Sequence, residues 1–92
     1  MIRSFRSKQL RNLFEDDDRR KLPVGDVEKI RRILALLDAV TQVEDLDRPG
    51  FALHRLKGDL KGYWAVTVRA NWRIVFRFQG GDFFDVDYLD YH

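Results

Sequence analysis

The residues with chemistry to offer gather in one stretch and at the end of the chain. Residues 53–78 read LHRLKGDLKGYWAVTVRANWRIVFRF, and the last three are Asp90, Tyr91 and His92. The stretch opens with a basic loop, punctuated by Gly58 and Gly62 and carrying His54, Arg55, Lys57 and Lys61. Two segments of alternating apolar and polar residues follow, 63–69 and 72–78, a pattern that predicts half-buried strands. Only Ala70 and Asn71 separate them, a gap that suits a tight hairpin, although alanine is a poor choice where φ must be positive. A basic loop feeding a strand pair with Arg73 and Arg77 beside Trp64 and Trp72 suits a polyanion with stackable bases. Taken alone, the same pattern is an ordinary hairpin with solvated arginines. On that plainer view Trp64 and Trp72 belong to the core or its rim, and Arg77 pairs with an acid of the last strand.

These residues must be positioned by a small frame. A chain of 92 residues reads as one domain, 1–92, with one modest core. There is no cysteine, which excludes disulfides and thiolate metal sites. His54 and His92 are too few for a histidine-based metal site without carboxylate help, so no metal or cofactor is expected. No apolar run approaches a membrane span and the first residues lack the apolar core of a signal peptide, so a cytoplasmic location is expected. The net charge is only +2, but its distribution is uneven. Acids gather at 15–18, 44–47 and 82–90, bases at 3–11, 19–21 and 54–61. A surface polarised in this way steers an anionic ligand even at small net charge.

In chain order, residues 2–5 predict a short strand, and Ser7 can cap a brief helix with Leu10, Leu13 and Phe14 on one face. The charged run 15–21 reads as a loop. Pro23 and Asp26 mark a longer helix whose stripe of Val27, Ile30, Ile33, Leu34, Leu37 and Val40 is core. Residues 41–48 read as irregular or a further helical turn, and Pro49-Gly50 as a turn. After the central hairpin, Gly80-Gly81 makes a second turn into a last strand, 83–91. The order is β-α-α-β-β-β, an α+β fold with an antiparallel sheet and two helices packed on one face. The other face is expected to stay open, rimmed by the basic loop. If Ala70-Asn71 is the whole hairpin loop, Arg73 and Arg77 share a face with Trp64, Val66 and Val68. Ile74, Phe76 and Phe78 then share the other with Ala65 and Thr67. Packing of the aliphatic and aromatic set on the helices turns Arg73 toward the open face.

LKGDLKGYW, NWRIVFRF and the terminal DYH, together with the MIRSF opening and the Pro-Gly turn, resemble the HigB branch of the RelE-type toxins of bacterial toxin–antitoxin pairs. The resemblance spans nearly the whole chain. It implies a β-α-α-β-β-β endoribonuclease that works without metal, entering the ribosomal A site and cleaving the messenger there. It also implies a HigA-type helix-turn-helix antitoxin that holds the toxin inactive and links it to operator DNA. By motif position the functional residues fall on His54, Lys57, Arg73, Asp90, Tyr91 and His92. Catalytic assignments differ between members of this group, and the extra C-terminal helix of some relatives is missing from this sequence.

The chemistry fits those residue types. Metal-free RNA cleavage uses the 2′-OH as nucleophile, a base to take its proton, an acid for the 5′-oxygen and cations for the phosphorane. Arginine stays charged and binds two phosphate oxygens at once, so Arg73 and Lys57 suit the cation role. Histidine is the acid–base group of neutral pH, and Asp90, two residues from His92, is spaced to orient it. Tyr91 can hydrogen-bond the phosphate or stack on a base. Arg55, Lys61 and Asn71 are expected to touch RNA. A non-catalytic RNA- or ribosome-binding module is the alternative, and a domain that docks a partner on its sheet is a third.

Overall fold

The computed structural model describes residues 1–91; His92 lies outside the described residues. Helix α1, Lys8–Asp16, begins where Ser7 accepts the Leu10 amide at 3.1 Å, as a serine N-cap does. It buries Leu10 and Leu13 but leaves Phe14 largely exposed, and it takes in Glu15 and Asp16, which the charge run had suggested were loop. Helix α2, Val27–Ala39, follows a short 3₁₀ turn, Val24–Asp26, and buries Val27, Ile30, Ile33, Leu34 and Leu37. The stripe at helical spacing is therefore core, as expected. A second 3₁₀ turn, Val43–Leu46, tucks Val43 and Leu46 under the same layer.

The sheet comprises β1 (His54–Arg55), β2 (Trp64–Arg69), β3 (Trp72–Gln79) and β4 (Asp82–Asp90), antiparallel in the order β1-β2-β3-β4. Strand β1 lies inside the basic loop and was not anticipated. Residues 2–5 do not form a strand proper. Ile2 and Phe5 make isolated parallel bridges to Phe83 and Val86 of β4, anchored by Arg3 N–H to the Phe83 carbonyl at 2.7 Å. The α+β arrangement with two helices against one face of an antiparallel sheet is thus present. The core between the layers joins Leu10, Ile30, Ile33, Leu34 and Leu37 to Val66, Ile74, Phe76, Phe83 and Val86.

Two bulges set the side-chain directions. Arg69 pairs with Trp72 across Ala70-Asn71, but the next pair is Thr67 with Arg73, so Val68 is an extra residue on β2. Arg73 therefore shares its face with Thr67, while Ile74 opposes Val66 and Phe76 opposes Trp64. This reverses the pairing expected from a plain two-residue hairpin, because one inserted residue inverts every later partner. Arg73 still faces away from the helices. Ala70 takes φ 51, the left-handed region that alanine enters at a cost of roughly 1–2 kcal/mol. A second bulge separates Val75↔Asp87 from Arg77↔Phe84, with Asp85 at φ 55. Asp85 receives Arg77 at 3.0 Å, the strand ion pair read from the sequence, and Ser4 Oγ accepts its amide at 2.8 Å.

The core account is testable by urea denaturation. Phe83→Ala should lower unfolding free energy by about 3–5 kcal/mol, whereas Val24→Ser, at a site 93% exposed, should change it by less than about 0.5 kcal/mol.

Candidate functional site

The face of the sheet turned from the helices collects most of the residues singled out by type. Pairings of His54 with Ala65, Ala65 with Val75, Thr67 with Arg73 and Arg73 with Leu89 put all these side chains on it. The face is not bare. Leu56, Ala65 and Val75 form a small buried cluster there, packed by Leu60, Tyr63, Leu89 and Tyr91. Leu56 and Leu60 are apolar anchors that pin the basic loop to the sheet. Its ends are closed by Leu56 N–H to the Tyr63 carbonyl at 2.9 Å and Tyr63 N–H to the Leu60 carbonyl at 3.0 Å. Gly58 and Gly62, at φ 69 and 95, make the two turns that the closure requires. With leucines inward, Lys57 and Lys61 stand exposed at the rim.

Arg73 is the polar centre of this face. Its Nη1 donates to Thr67 Oγ1 at 3.2 Å, and its Nε is buried without a hydrogen-bond partner among the described residues. A buried donor of a permanent cation left unmatched is unusual. His54 lies across β2 from β3, in line with Val75 and two residues along from Arg73, roughly 12 Å from it in the sheet. Its Nδ1 is 2.8 Å from the Ala52 carbonyl, which can only accept; Nδ1 therefore carries the proton and Nε2 is the basic nitrogen of the neutral ring. Tyr91 is held past the end of β4 by its N–H to the Asn71 carbonyl at 2.8 Å, so hairpin tip and chain end are joined.

The structure does not bring every sequence candidate to this face. Asp90 pairs with Trp72, whose neighbour Tyr88 packs on the main core, so its register puts it on the helix side. Arg55 alternates with His54 and stacks on Trp64 at 4.9 Å, and Trp72 stacks on Tyr88 at 4.8 Å. Neither tryptophan is therefore beside Arg73, and both belong to the core rim. His92 lies outside the described residues. Among the described residues no three His, Asp or Glu side chains converge as metal ligands.

Three participants escaped the sequence reading. Thr67 anchors Arg73 only because of the bulge, which no local residue pattern announced. Arg6 lies toward the same face, where nearby Tyr63, and then the Asp87 carboxylate, raise its already high pKa. Beside it opens a cleft of about 570 Å³ lined by Arg6, Lys8, Lys21 and Trp72, with Asp87 as its one acid, so the cations outnumber the acid past the edge of β4. The third is Asp26. The sequence offers it as a marker of the helix start, but at the N-cap it makes no side-chain cap bond and turns to the sheet instead. There it accepts Arg69 Nε at 3.0 Å and the Tyr88 hydroxyl at 3.5 Å.

A small α+β domain with cations and a histidine on one sheet face presents a surface suited to an anionic partner. Residues 3–92 match the family described as RelE-like toxin of type II toxin-antitoxin system HigB, and the chain belongs to that family. It is 47% identical to Endoribonuclease HigB of Proteus vulgaris over the full length of both chains. To Toxin HigB-1 of Vibrio cholerae serotype O1 it is 34% identical, covering all of this chain and 98% of that protein. Membership in a type II toxin–antitoxin family implies an antitoxin partner. Among the described residues no helix is long and apolar enough to cross a membrane.

The Asp26 environment gives a pH signature. Burial, and then the Asp26 charge, push the Tyr88 phenol from its ordinary 10.0 up to about 12. The folded state thus favours the protonated phenol, a contribution present below pH 10 and lost as pH rises through about 12. Phenolate absorbance should show a step near pH 12 that Tyr88→Phe removes, and stability should decline across that window.

Proposed function

We propose that the chain is a toxin whose activity is endonucleolytic cleavage of messenger RNA on the ribosome, by attack of the 2′-OH on the adjacent phosphodiester. The observation that carries this reading is Arg73, tethered through Nη1 to Thr67 with a buried Nε lacking a partner among the described residues. A permanent cation not paired with an acid on this face suits a phosphate, to which a guanidinium can present two donors once its side chain turns outward. The family, and the name of the Proteus vulgaris relative, support ribonuclease chemistry.

In the proposed reaction Arg73 and Lys57 hold the non-bridging oxygens and offset the charge that grows on the phosphorane. His54, with Nε2 as its basic nitrogen, removes the 2′-OH proton or returns one to the leaving 5′-oxygen. His92 takes the complementary role. Asp90, two residues before it and on the opposite face from Arg73, acts on His92 rather than on the phosphate. The P–O5′ bond breaks as the 2′-oxygen bonds to phosphorus, leaving a 2′,3′-cyclic phosphate and a 5′-hydroxyl. No step requires a metal. Tyr91, packed on the apolar cluster of the same face, stacks on a base or bonds the phosphate. Lys61 and Asn71 contact RNA at the rim, and Arg55, exposed above Trp64, adds to the field that draws the strand in. A HigA-type helix-turn-helix protein that carries the pair to operator DNA is the proposed antitoxin, and the cytoplasm the proposed location.

The test compares a defined messenger free and on programmed bacterial ribosomes, with cuts mapped by primer extension. Cleavage in the A-site codon, present only on ribosomes and reduced about 100- to 1,000-fold in Arg73→Ala, is the expected result. Intact message alongside ribosome binding that falls steeply with salt would support a non-catalytic binding module instead.

A further inference from the structure

Asp26 lies on the far side of the sheet from Arg73, where it meets Arg69 beside the hairpin bulge. Its carboxylate is 5% exposed and lies between the first turn of α2 and the sheet. Arg69 meets it with Nε at 3.0 and 3.3 Å from the two oxygens, and the Tyr88 hydroxyl is at 3.5 Å. A carboxylate at this position could have capped α2, as aspartates at helix starts do. It is committed to the arginine of a different element.

Arg69 occupies the pivotal residue of β2. It directly follows the extra residue, Val68, and pairs with Trp72 at the mouth of the hairpin. Val68 is buried in the main core and Arg69 reaches Asp26 on the helix side, so two successive side chains lie on one face. That is the signature of a bulge, where strict alternation fails once. Without the extra residue, Val68 would oppose Arg73, and Arg73 would share its face with the core. With it, Thr67 opposes Arg73 and accepts its Nη1.

We infer that the Asp26–Arg69 ion pair is a positioning device for Arg73: by fixing Arg69 to the helix layer it holds the bulge that delivers Arg73 and Thr67 to the opposite face. The inference rests on the role given to Arg73 in the proposed reaction. Neither Asp26 nor Arg69 touches the RNA in this scheme. The competing register is a one-residue slip, the alternative a hairpin most readily adopts. The left-handed Ala70 next to Arg69 makes the present loop strained, so a tertiary restraint is needed to hold it.

The test uses Arg69→Gln, Arg69→Lys and Asp26→Asn with the full chain. Arg69 is 58% exposed at its side chain, so its replacements keep the fold even if Asp26→Asn does not. Two-dimensional NMR reads the register directly, from cross-strand contacts between Thr67 and Arg73. In the wild type these are present and the Arg73 Nε proton exchanges slowly. In Arg69→Gln they weaken and contacts between Val68 and Arg73 emerge, while the folded fraction stays near that of the wild type. Messenger cleavage falls about 10- to 100-fold, in kcat with KM nearly unchanged, and Arg69→Lys recovers part of it by restoring the charge. Undisturbed Thr67–Arg73 contacts in Arg69→Gln would overturn the inference, whatever the cleavage rate. If the wild type cuts no message, the reaction scheme fails, and the register contacts still decide whether the ion pair holds the hairpin.

Discussion

Side chains in a strand alternate between two faces, so one extra residue decides which way everything beyond it points. Among the described residues two play this part, Val68 in β2 and Asp85 in β4. Each sits where a chemically distinct layer must begin. At Val68 the sheet passes from core-facing Val66 to a hairpin clamped to α2 by Asp26, leaving Thr67 and Arg73 on the other face. At Asp85 the strand bends so that Phe83 and Val86 are both buried although they are three residues apart. The strained residues Ala70 and Asp85 lie at or beside these bulges. The surrounding contacts over-determine them: Ser4 and Arg77 on Asp85, Asp26 on Arg69.

Because the sheet is apolar on both faces, it can support a site. The main core on one side buries large residues such as Phe76, Phe83 and Ile33. The cluster of Leu56, Ala65 and Val75 on the other is small, but it lets the basic loop be docked rather than tethered. A lysine on a free loop presents its charge diffusely, whereas Lys57 follows a leucine buried in the sheet and precedes a glycine turn. The apolar floor under Arg73 also removes water from one side of the guanidinium, which strengthens any bond that it makes to an anion.

Much of this was legible in the sequence. Helical periodicity gave α2 and its buried stripe, Ser7 announced α1, and alternation with two short turns gave the three long strands. The loop residues His54, Lys57 and Lys61, and Arg73, could be picked out by type and spacing. What could not be read were relations between elements. The extra residue at Val68 looks like any other valine in an alternating run, so the predicted partners of Arg73 were inverted although its direction was right. Strand β1 is only two residues long and carries no pattern of its own. Asp26 was legible as a helix start but not as the partner of an arginine 43 positions later. Trp64 and Trp72 are core-rim residues, as the plainer reading had them, and the register adds their partners Arg55 and Tyr88, which no local pattern showed.

A core built for stability alone would give every buried donor an acceptor, because an unmet one costs about 1–3 kcal/mol. Most of the polar side chains that come together across elements here obey that rule: Asp26 meets Arg69 and Tyr88, Asp85 meets Ser4 and Arg77, and Arg3 meets Asp82. Arg73 Nε departs from it among the described residues, and it does so on the face where the chain has gathered its loop lysines and His54. The cost is borne by the side chain that is most useful when unsatisfied. An arginine with its ion pair already made would have to give up that partner before binding a phosphate. In the proposed reaction Arg73, held by a neutral threonine hydroxyl instead of a carboxylate, keeps its full charge for the phosphate. The neighbouring arginines show the alternative: Arg69 and Arg77 are spent on Asp26 and Asp85 and serve to hold the two bulges in place. Three arginines four residues apart on one hairpin thus divide the work, the outer two fixing the backbone so that the middle one can remain unpaired with acid among the described residues.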